Sequence, residues 1–325
     1  MSINKSKIKN ILVVRNDRFG EFLLNIPALR ALKETFQNAK IIIVVDPYVK
    51  ELAQSIAFID EVMTWGRQKH QILEKFHLIN LLRRKNIDLA VLLNPSKEFN
   101  LFTNLAGIPI RVGYARKWGF LLNHKIKDKK YLGERHEVEY NLELVDLVGA
   151  ITEDKTLSLR IDNDALEGLD LKIEKYDSLV ALHPWTSDPM KQWPLSSFQE
   201  LTKRLIKELG IKMVIIGGRE ELNKSIEIFQ NFDNHLLNIT GKTTLKQLAA
   251  LLKNCRLLIS GDSGPVHLAC AVGTPVVAIF RNDIPAKSAK RWGPWGEDNM
   301  VIEKERLSDI TVEEVFNKVR RGLNK

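Results

Sequence analysis

The chain has 325 residues, and at about 150 residues per domain this length predicts two domains. Hydrophobic residues make up 44% and charged residues 27%, ordinary globular values that exclude a disordered, collagen-like or coiled-coil chain. The net charge of +9 is uneven, because residues 1–150 hold 24 of the 49 Lys and Arg but only 16 of the 40 Asp and Glu. A basic first half favours a phosphorylated substrate, an anionic membrane surface or nucleic acid; the alternative is a merely solvated basic surface.

The basic residues are densest between positions 111 and 135. This stretch contains only two acids against the following bases: Arg111, Arg116, Lys117, Lys125, Lys127, Lys129, Lys130 and Arg135. No run approaches the roughly 20 apolar residues that span a bilayer, and residues 1–14 lack a signal-peptide core. We therefore expect a cytoplasmic protein, with peripheral contact to the inner face of the membrane as an open alternative. Cys255 and Cys270 are expected to be buried free thiols.

Short apolar runs alternate with helical patterns along the first half. Strands are predicted at 11–15, 41–45, 61–65 and 88–93, and helices at 22–36, 48–55, 72–85 and 135–149. Strands that are apolar throughout and separated by helices indicate a parallel sheet covered on both faces.

The same alternation restarts in the second half. Strands are predicted at 178–182, 211–216, 256–260 and 275–280, and helices at 195–210, 220–229, 244–253, 265–272 and 311–321. The pattern predicts an α/β fold with two doubly wound parallel-sheet domains, 1–155 and 177–325, facing a cleft and joined by a linker over 156–176. The last helix is a candidate to pack back on the first domain.

The loop after the first strand carries Gly20 and Glu21 into a helix. It has no G-x-G-x-x-G fingerprint, so it does not favour a dinucleotide site. A carboxylate at a helix start can cap the helix and interact with its dipole, or it can act as a general base; both interpretations stay open for Glu21.

Two loops of the second half suit a diphosphate. The stretch 183–194 offers the hydroxyls of Thr186 and Ser187 and the cation of Lys191, although an ordinary exposed loop explains them equally well. In 260–267, glycines and a proline precede a helix, so backbone N–H groups near Ser263 can bind an anion at the helix start. His267 lies in reach of that position or is structural.

Two further acidic stretches have weaker signals. The acids after Gly217-Gly218 can accept from ribose hydroxyls or simply begin a helix. Asp162-Asn163-Asp164 matches the D-x-D metal motif of some sugar transferases, but turn and cap residues explain it better, and we predict no metal.

Taken in order, these motifs resemble glycosyltransferase family 9, the heptosyltransferase family of lipopolysaccharide core assembly. The resemblance covers nearly the whole chain, from "RNDRFGEFLLNIPALRAL" and "RHEVEYNLELVDLVGA" through "HPWTSDPMKQWPLSSFQEL" to "ISGDSGPVHLACAVGTPVVAIF" and "RWGPWGEDN". It implies a GT-B fold of two Rossmann-like domains, with the acceptor on the first and the nucleotide-sugar on the second. It also implies an inverting reaction without metal or other cofactor.

The resemblance assigns roles residue by residue. Glu21 matches the catalytic base, which is aspartate in the best-known members, and Lys191 matches the lysine at the donor phosphates. Other donor residues that it implies are Thr186, Ser187, Glu221 (or Glu220), Thr243, Asp262, Ser263, Gly264 and His267. The basic half is expected to take the phosphorylated acceptor through Arg15, Arg18, Arg116 and Lys117.

The expected activity is therefore transfer of a sugar, heptose from ADP-heptose, onto a lipopolysaccharide-core or related glycolipid. The segment 280–285 departs from the family pattern, which leaves open a different nucleotide-sugar donor for another surface glycan. The sequence also leaves open a nucleotide-sugar 2-epimerase on a related scaffold and a non-catalytic protein that binds anions or nucleic acid.

Overall fold

The computed structural model describes residues 3–167, 169, 179–230, 232 and 235–324. The chain forms two compact units, Met1–Leu159 and Arg160–Lys325, and each is built on a six-stranded parallel sheet. The predicted α/β fold with two doubly wound sheets is therefore confirmed. The predicted linker, 156–176, lies partly outside the described residues, as does Ser178, the first residue of a predicted strand.

Among its described residues, the first unit contains six strands and six α-helices. In chain order they are β1 (Asn10–Val14), α1 (Phe19–Leu23), α2 (Ile26–Thr35), β2 (Lys40–Val45), α3 (Lys50–Gln54), β3 (Glu61–Thr64), α4 (Ile72–Arg84), β4 (Leu89–Leu92), α5 (Lys97–Leu105), β5 (Ile110–Tyr114), β6 (His124–Ile126) and α6 (Glu137–Asp146).

The first sheet has the strand order β3-β2-β1-β4-β5-β6. Ile11 pairs in register with Ile41 of β2 on one side and with Leu89 of β4 on the other. Four residues of β1 and all of β4 are buried, because helices cover both faces of the sheet. The chain therefore reverses its winding direction between β1 and β4.

The predicted helix over 22–36 is divided in two. α1 ends at Leu23 and α2 begins at Ile26. The buried Asn25 side chain donates to the carbonyls of Glu21 (2.6 Å) and Phe22 (3.1 Å), and Pro27 lies in the first turn of α2. A short polar side chain that bonds the preceding turn, followed by proline, ends one helix and starts the next.

The second unit repeats this architecture. Its elements are β7 (Leu179–His183), α7 (Leu195–Leu209), β8 (Lys212–Ile215), α8 (Leu222–Phe229), β9 (Leu236–Asn238), α9 (Leu245–Lys253), β10 (Leu257–Gly261), α10 (Gly264–Val272), β11 (Val276–Arg281), α11 (Ala289–Trp292), β12 (Met300–Lys304) and α12 (Val312–Leu323). The strand order of its sheet is β12-β11-β10-β7-β8-β9. If these strands are numbered from one, the order equals that of the first sheet, so the winding direction reverses between β7 and β10.

The core of the second unit is completed by α12, which packs on α7 and on the strands β10 to β12. Trp193 is fully buried there, and its indole N–H donates to the carbonyl of Ile310 at 3.0 Å. Cys255 is buried and Cys270 half-buried, and burial raises the pKa of both thiols to about 12. Within the described ranges, no helix is long and apolar enough to cross a membrane.

Candidate functional site

Three loops meet at the switch point of the first sheet. Asn16, after β1, donates from Nδ2 to the carbonyl of Trp65 after β3 (3.3 Å) and accepts at Oδ1 from Asn94 after β4 (3.2 Å). Ligands of doubly wound folds bind outside the carboxyl ends of the strands at this point. The β1–α1 loop with Glu21 is therefore held in the position where a ligand is expected.

Glu21 lies in the first turn of α1 and is half-buried. The Arg18 backbone N–H donates to its Oε2 at 3.2 Å, so this carboxylate caps its own helix. Burial, followed by the negative charge of Asp17, raises the pKa of Glu21 above its ordinary value, while Arg15 and Arg18 oppose the rise. A partly desolvated carboxylate with a raised pKa is suited to accept a proton, so capping and base function are compatible.

Arg15 does not have the exposed position expected of an acceptor ligand. It is only 3% exposed, with Nε 2.7 Å from Asp17 Oδ1 and Nη1 3.2 Å from the Leu93 carbonyl oxygen. Its Nη1 also lies 3.7 Å from Oε1 of Glu137, which in turn pairs with Lys130 at 2.5 Å. This buried network makes Arg15 a fixed positive charge below the loop that carries Glu21.

The other predicted acceptor residues are at the surface. Arg18 is exposed next to α1, and Arg116 and Lys117 are exposed directly after β5. Arg116 Nη1 lies 2.8 Å from Asp128 Oδ2, which ties the loop after β5 to the loop after β6. Because the sheet is parallel, these bases follow the same edge of the sheet as the loop with Glu21.

An ion pair lies at the switch point of the second sheet. Lys191 comes from the loop after β7, Asp262 follows β10 directly, and Lys191 Nζ lies 2.5 Å from Asp262 Oδ2. Burial raises the pKa of Asp262, and the charge of Lys191 opposes that rise. The pair keeps the lysine ammonium at the edge of the sheet where a ligand is expected.

The loop that carries Lys191 is held in shape by Asp188. Its Oδ1 accepts from the Met190 N–H at 3.1 Å, its own N–H donates to Thr186 Oγ1 at 3.3 Å, and Oδ2 lies 2.7 Å from Lys287 Nζ. The positive charge of Lys287, hydrogen-bonded to Asp188, lowers the pKa of that carboxyl. Ser187 is exposed at the tip of the loop.

The segment that departs from the family pattern lies against this loop. Arg281, the last residue of β11, donates from Nη1 to the carbonyl of Met190 at 3.1 Å and pairs with Asp283. Lys287, which also follows β11 in the chain, pairs with Asp188 of the Lys191 loop, so the segment after β11 contacts this loop through two side chains. The sequence showed that this segment differs from the family pattern, but it did not predict that the segment contacts the Lys191 loop.

The start of α10 has the features of an anion site. Ser263 occupies the N-cap position, but its Oγ lies 2.8 Å from Ser260 Oγ and makes no capping bond to the helix. Pro265 in the first turn has no N–H, and Gly264 adds no side chain above the helix end. His267 is buried within the same helix. A nine-residue helix whose start is not capped by its own side chain can offer backbone N–H groups and its dipole to a phosphate.

The loops after β8 and β9 form a third part of this edge. The Gly241 N–H donates to the Gly217 carbonyl at 2.9 Å, which brings Glu221 and Thr243 to neighbouring loops. A Cβ on Gly217 would lie 2.6 Å from Nε1 of the buried Trp185, so glycine is required there. Glu221 Oε2 is buried and has no hydrogen-bond partner among the described residues, and burial raises the pKa of this carboxyl.

A metal site is not found in the part of the chain that the structure describes, where no group of three or more His, Cys, Asp or Glu side chains is placed to hold an ion. Asp162 of the D-x-D stretch takes the N-cap position of a 3-10 turn over Asn163–Leu166.

Sequence reasoning missed several polar residues of both sites. Asn94 and His183 stand where a buried strand ends, which is the signal that could have found them. His183 Nδ1 lies 3.2 Å from Ser260 Oγ, and burial lowers the pKa of His183 to about 4, so the imidazole is neutral near pH 7. Lys130 and Glu137 belong to a basic stretch and a helix start, and nothing local predicts that they pair.

Comparison with known proteins gives one family. The model of "Glycosyltransferase family 9 (heptosyltransferase)" matches residues 75–318, about three quarters of the chain. "Lipopolysaccharide heptosyltransferase 2" of Salmonella typhimurium is 25% identical over 292 residues, covering 85% of this chain and 83% of that protein.

Two solved structures have the same fold. The E. coli ADP-heptose lps heptosyltransferase II is 24% identical with a TM-score of 0.83, and covers 97% of this chain and 98% of its own. A glycosyl transferase family 9 structure from Veillonella parvula is 22% identical with a TM-score of 0.82, and covers 97% of each chain. At these identities the likeness establishes the fold, and the family match extends over parts of both units.

Proposed function

The chain belongs to glycosyltransferase family 9 and is a glycosyltransferase, and from that premise we propose that it transfers heptose from ADP-heptose to a lipopolysaccharide-core or related glycolipid. The names of its relatives support the sugar and the acceptor, since they are called lipopolysaccharide heptosyltransferases, and a structural relative is described by ADP-heptose. Family membership also sets aside the epimerase and the non-catalytic binding protein.

The observation that carries the proposal is the chemistry at the two switch points. In the first unit, Glu21 is a half-buried carboxylate with a raised pKa. In the second unit, Lys191 provides a cation and the start of α10 provides backbone N–H groups. The buried Oε2 of Glu221 provides a hydrogen-bond acceptor. A base on one unit and a diphosphate and ribose site on the other are what an inverting sugar transfer requires.

We propose that Glu21 takes the proton from the acceptor hydroxyl. The oxygen then forms a bond to the anomeric carbon from the face opposite the diphosphate, and the bond from that carbon to the diphosphate oxygen breaks with inversion. The electron pair leaves with ADP, whose charge Lys191 neutralises. One well-placed base contributes about 10²–10⁴-fold, and a cation at the leaving group adds electrostatic stabilisation of the transition state.

The Lys191–Asp262 pair bears on donor binding. A bound diphosphate competes with Asp262 for the Lys191 ammonium. When no diphosphate is bound, the ion pair with Asp262 holds the Lys191 ammonium in place. Thr186, Ser187 and the N–H groups of Ser263 and Gly264 are proposed to complete the phosphate contacts, with His267 behind them and Glu221 and Thr243 at the nucleoside.

For the acceptor, Arg18, Arg116 and Lys117 are proposed to contact phosphate groups, while Arg15 acts through its charge on Glu21. A phosphorylated glycolipid lies in a membrane, so peripheral contact of the first unit with that surface, on the cytoplasmic side, is part of the proposal. Nucleic acid is not a proposed partner.

The first experiment is a thermal-shift panel with ADP, UDP, GDP and CMP. Ligand at 100 times its Kd stabilises the native state by about 2.7 kcal/mol, which gives a readable shift. We expect a shift with ADP that is lost in Lys191→Ala and retained in Lys203→Ala, an exposed lysine of the same unit. Each variant is compared with its own ligand-free midpoint, so a change in intrinsic stability does not affect the reading.

A second donor class is favoured by one observation. Arg281 and Lys287 hold the Lys191 loop from the segment that departs from the family pattern. A shift with UDP or GDP instead of ADP would contradict the heptose donor and select another nucleotide-sugar, with the same base and leaving-group roles.

A further inference from the structure

The exposed apolar side chains of the first unit are concentrated at one edge of its sheet. Among its described residues, ten large apolar side chains are exposed. Eight of them lie in loops that leave the carboxyl ends of β2, β3, β5 and β6, or in the first two turns of the helix that follows. The two exceptions are Leu105 and Ile151. Apolar residues scattered singly need no explanation, but such a one-sided set does.

The most prominent group follows β5 and β6. Phe120 is 73% and Tyr131 65% exposed, with Trp118 and Leu132 also exposed next to them in the chain. The two segments are joined by the Arg116–Asp128 ion pair at 2.8 Å. The loops that carry these aromatic side chains, after β5 and after the edge strand β6, are therefore held to each other.

The backbone that presents Trp118 is fixed rather than loose. Lys117 and Trp118 have positive φ angles of 49° and 70°, a conformation that L side chains rarely adopt. Asn100 Nδ2 donates to the Lys117 carbonyl at 2.9 Å, and a Cβ on Gly119 would lie 2.8 Å from the Tyr114 carbonyl oxygen. A buried asparagine thus holds a strained turn whose tryptophan side chain is exposed. Backbone strain of this kind is typical of functional sites, which indicates a function for Trp118.

The charge around these aromatics has one sign. Residues 116–132 contain six Lys or Arg and one acid, Asp128. Lys127 and Lys129 are exposed in the loop that leads to Tyr131, and Lys97 Nζ lies 6.0 Å from the centre of the Trp118 ring. Trp and Tyr among Lys and Arg are the side chains that favour the headgroup region of a membrane, and anionic lipids attract the bases.

The start of α4 also exposes apolar side chains. Ile72, Leu73 and Phe76 are exposed in its first two turns, with Leu73 at 74%. α4 packs on α5, and Lys75 Nζ of α4 lies 3.0 Å from Glu98 Oε1, next to Lys97. α4 is thus linked to α5, whose Lys97 lies near the Trp118 ring.

We propose that Trp118, Phe120, Tyr131 and Leu132, with Lys127 and Lys129, form a docking surface for an anionic lipid bilayer. The aromatic rings enter the headgroup region and the lysines meet the lipid phosphates. The surface follows the sheet edge that carries Glu21, so docking would bring that edge to a lipid-anchored acceptor. The lipid-anchored acceptor rests on the proposed function, whereas binding of the bilayer itself does not involve the transfer reaction.

The test is co-sedimentation of the full chain with vesicles of phosphatidylglycerol and phosphatidylethanolamine, compared with vesicles of phosphatidylcholine alone. Neither donor nor acceptor is present. We expect binding to the anionic vesicles that is weakened by salt, and little binding to the neutral ones. Trp118→Asn/Phe120→Ser should lower the partition coefficient at least tenfold; asparagine is chosen because it tolerates a positive φ.

Two matched controls make the test specific. Leu105→Ser/Ile151→Ser removes the two exposed apolar side chains that lie away from the surface and should bind as the unaltered chain does. Lys127→Gln/Lys129→Gln should weaken binding about 25-fold, because each charge near the surface contributes about fivefold, whereas Lys203→Gln/Lys207→Gln on the second unit should not weaken it. The ADP thermal shift of every variant should be unchanged, which shows that the second unit is intact.

Equal binding to neutral vesicles, or full binding by Trp118→Asn/Phe120→Ser, would overturn the proposal. So would a dimer in sedimentation velocity that this variant abolishes, because the surface would then belong to a second copy of the chain. A failed docking test leaves the ADP response and sugar transfer as separate measurements, so the two proposals fail independently.

Discussion

The carboxylate of Glu21 is subject to opposing electrostatic influences from its own loop. Burial and Asp17 raise its pKa, while Arg15 and Arg18 lower it. Arg15 is itself fixed by Glu137 and the Leu93 carbonyl, so its charge cannot move away from the loop. The result is a carboxylate whose pKa lies above that of an ordinary glutamate, which makes it a stronger base.

Glu21→Gln should lower kcat about 10²–10⁴-fold, because the glutamine amide cannot take up the proton from the hydroxyl of the glycolipid substrate. Its amide oxygen can still accept from the Arg18 N–H, so the start of α1 should persist and the thermal midpoint should change little. Steady-state transfer rates measure the first effect, and ADP binding, expected to be unchanged, is the control. Turnover close to that of the unaltered chain would remove Glu21 from the mechanism.

Asp17→Asn should move the acid limb of the pH profile to lower pH. The base must be ionised, so kcat/KM falls as pH decreases through the pKa of Glu21, which lies above the ordinary value of about 4.3. Removing Asp17 takes away a charge that raises this pKa and also leaves more of the Arg15 charge to lower it. The measurement is the pH dependence of kcat/KM for both proteins, followed down through the acid limb. A limb that moves upward would contradict this electrostatic account.

At the scale of elements, the carboxyl end of β7 has a buried histidine whose neutrality is coupled to stability. Burial lowers the pKa of His183 to about 4, whereas the unfolded chain has a histidine of ordinary pKa near 6.5. Between these values the unfolded state binds a proton that the native state does not, so stability falls as pH falls. At about 1.36 kcal/mol per pKa unit, the loss reaches roughly 3 kcal/mol by pH 4.

The His183→Asn variant should therefore show a flatter dependence of unfolding free energy on pH between 6.5 and 4. Asparagine keeps a polar group near Ser260 Oγ, which limits the packing damage. Urea unfolding at a series of pH values measures the slope. His235→Asn, at an exposed histidine of the same unit, is the matched control and should retain the slope of the unaltered chain.

How far the elements could be predicted depended on burial. Strands such as β1 and β4, apolar along their length, and helices with clear caps, such as α9 after Thr244, were predicted within a residue or two. The strands β6 and β9 have three half-buried or exposed residues each, and β12 is half-exposed, so no apolar run indicated them. α5 was also missed, as was β5, which runs into the basic stretch 111–135.

The sites followed the same division. Loops after buried strands could be found from the sequence, and with them Glu21, Lys191 and Asp262. Contacts between residues far apart in the chain could not, because nothing local indicates that Arg15 meets Glu137 or that Arg281 reaches the Met190 carbonyl. These pairs depend on strand order, which only the folded sheets provide.

On the scale of the whole molecule, the two units repeat one topology but differ in charge and chemistry. The basic excess and the exposed aromatic surface belong to the first unit, and the cation, the α10 start and the buried Glu221 oxygen belong to the second. In the proposed function, the acceptor binds at the switch point of the first unit and the donor at that of the second.

This division predicts where a nucleotide changes amide hydrogen exchange in the intact chain. ADP should protect peptides that contain the Lys191 loop, the Gly217–Glu221 loop and the start of α10, because ligand contacts suppress local opening there. Peptides over 15–23 and 116–132 should change far less with ADP alone. Exchange followed by mass spectrometry measures both sets in one experiment, and Lys191→Ala, which should lose the protection at all three loops, is the control. Protection centred on the loop with Glu21 would place the nucleotide on the first unit and reverse the proposed assignment of donor and acceptor.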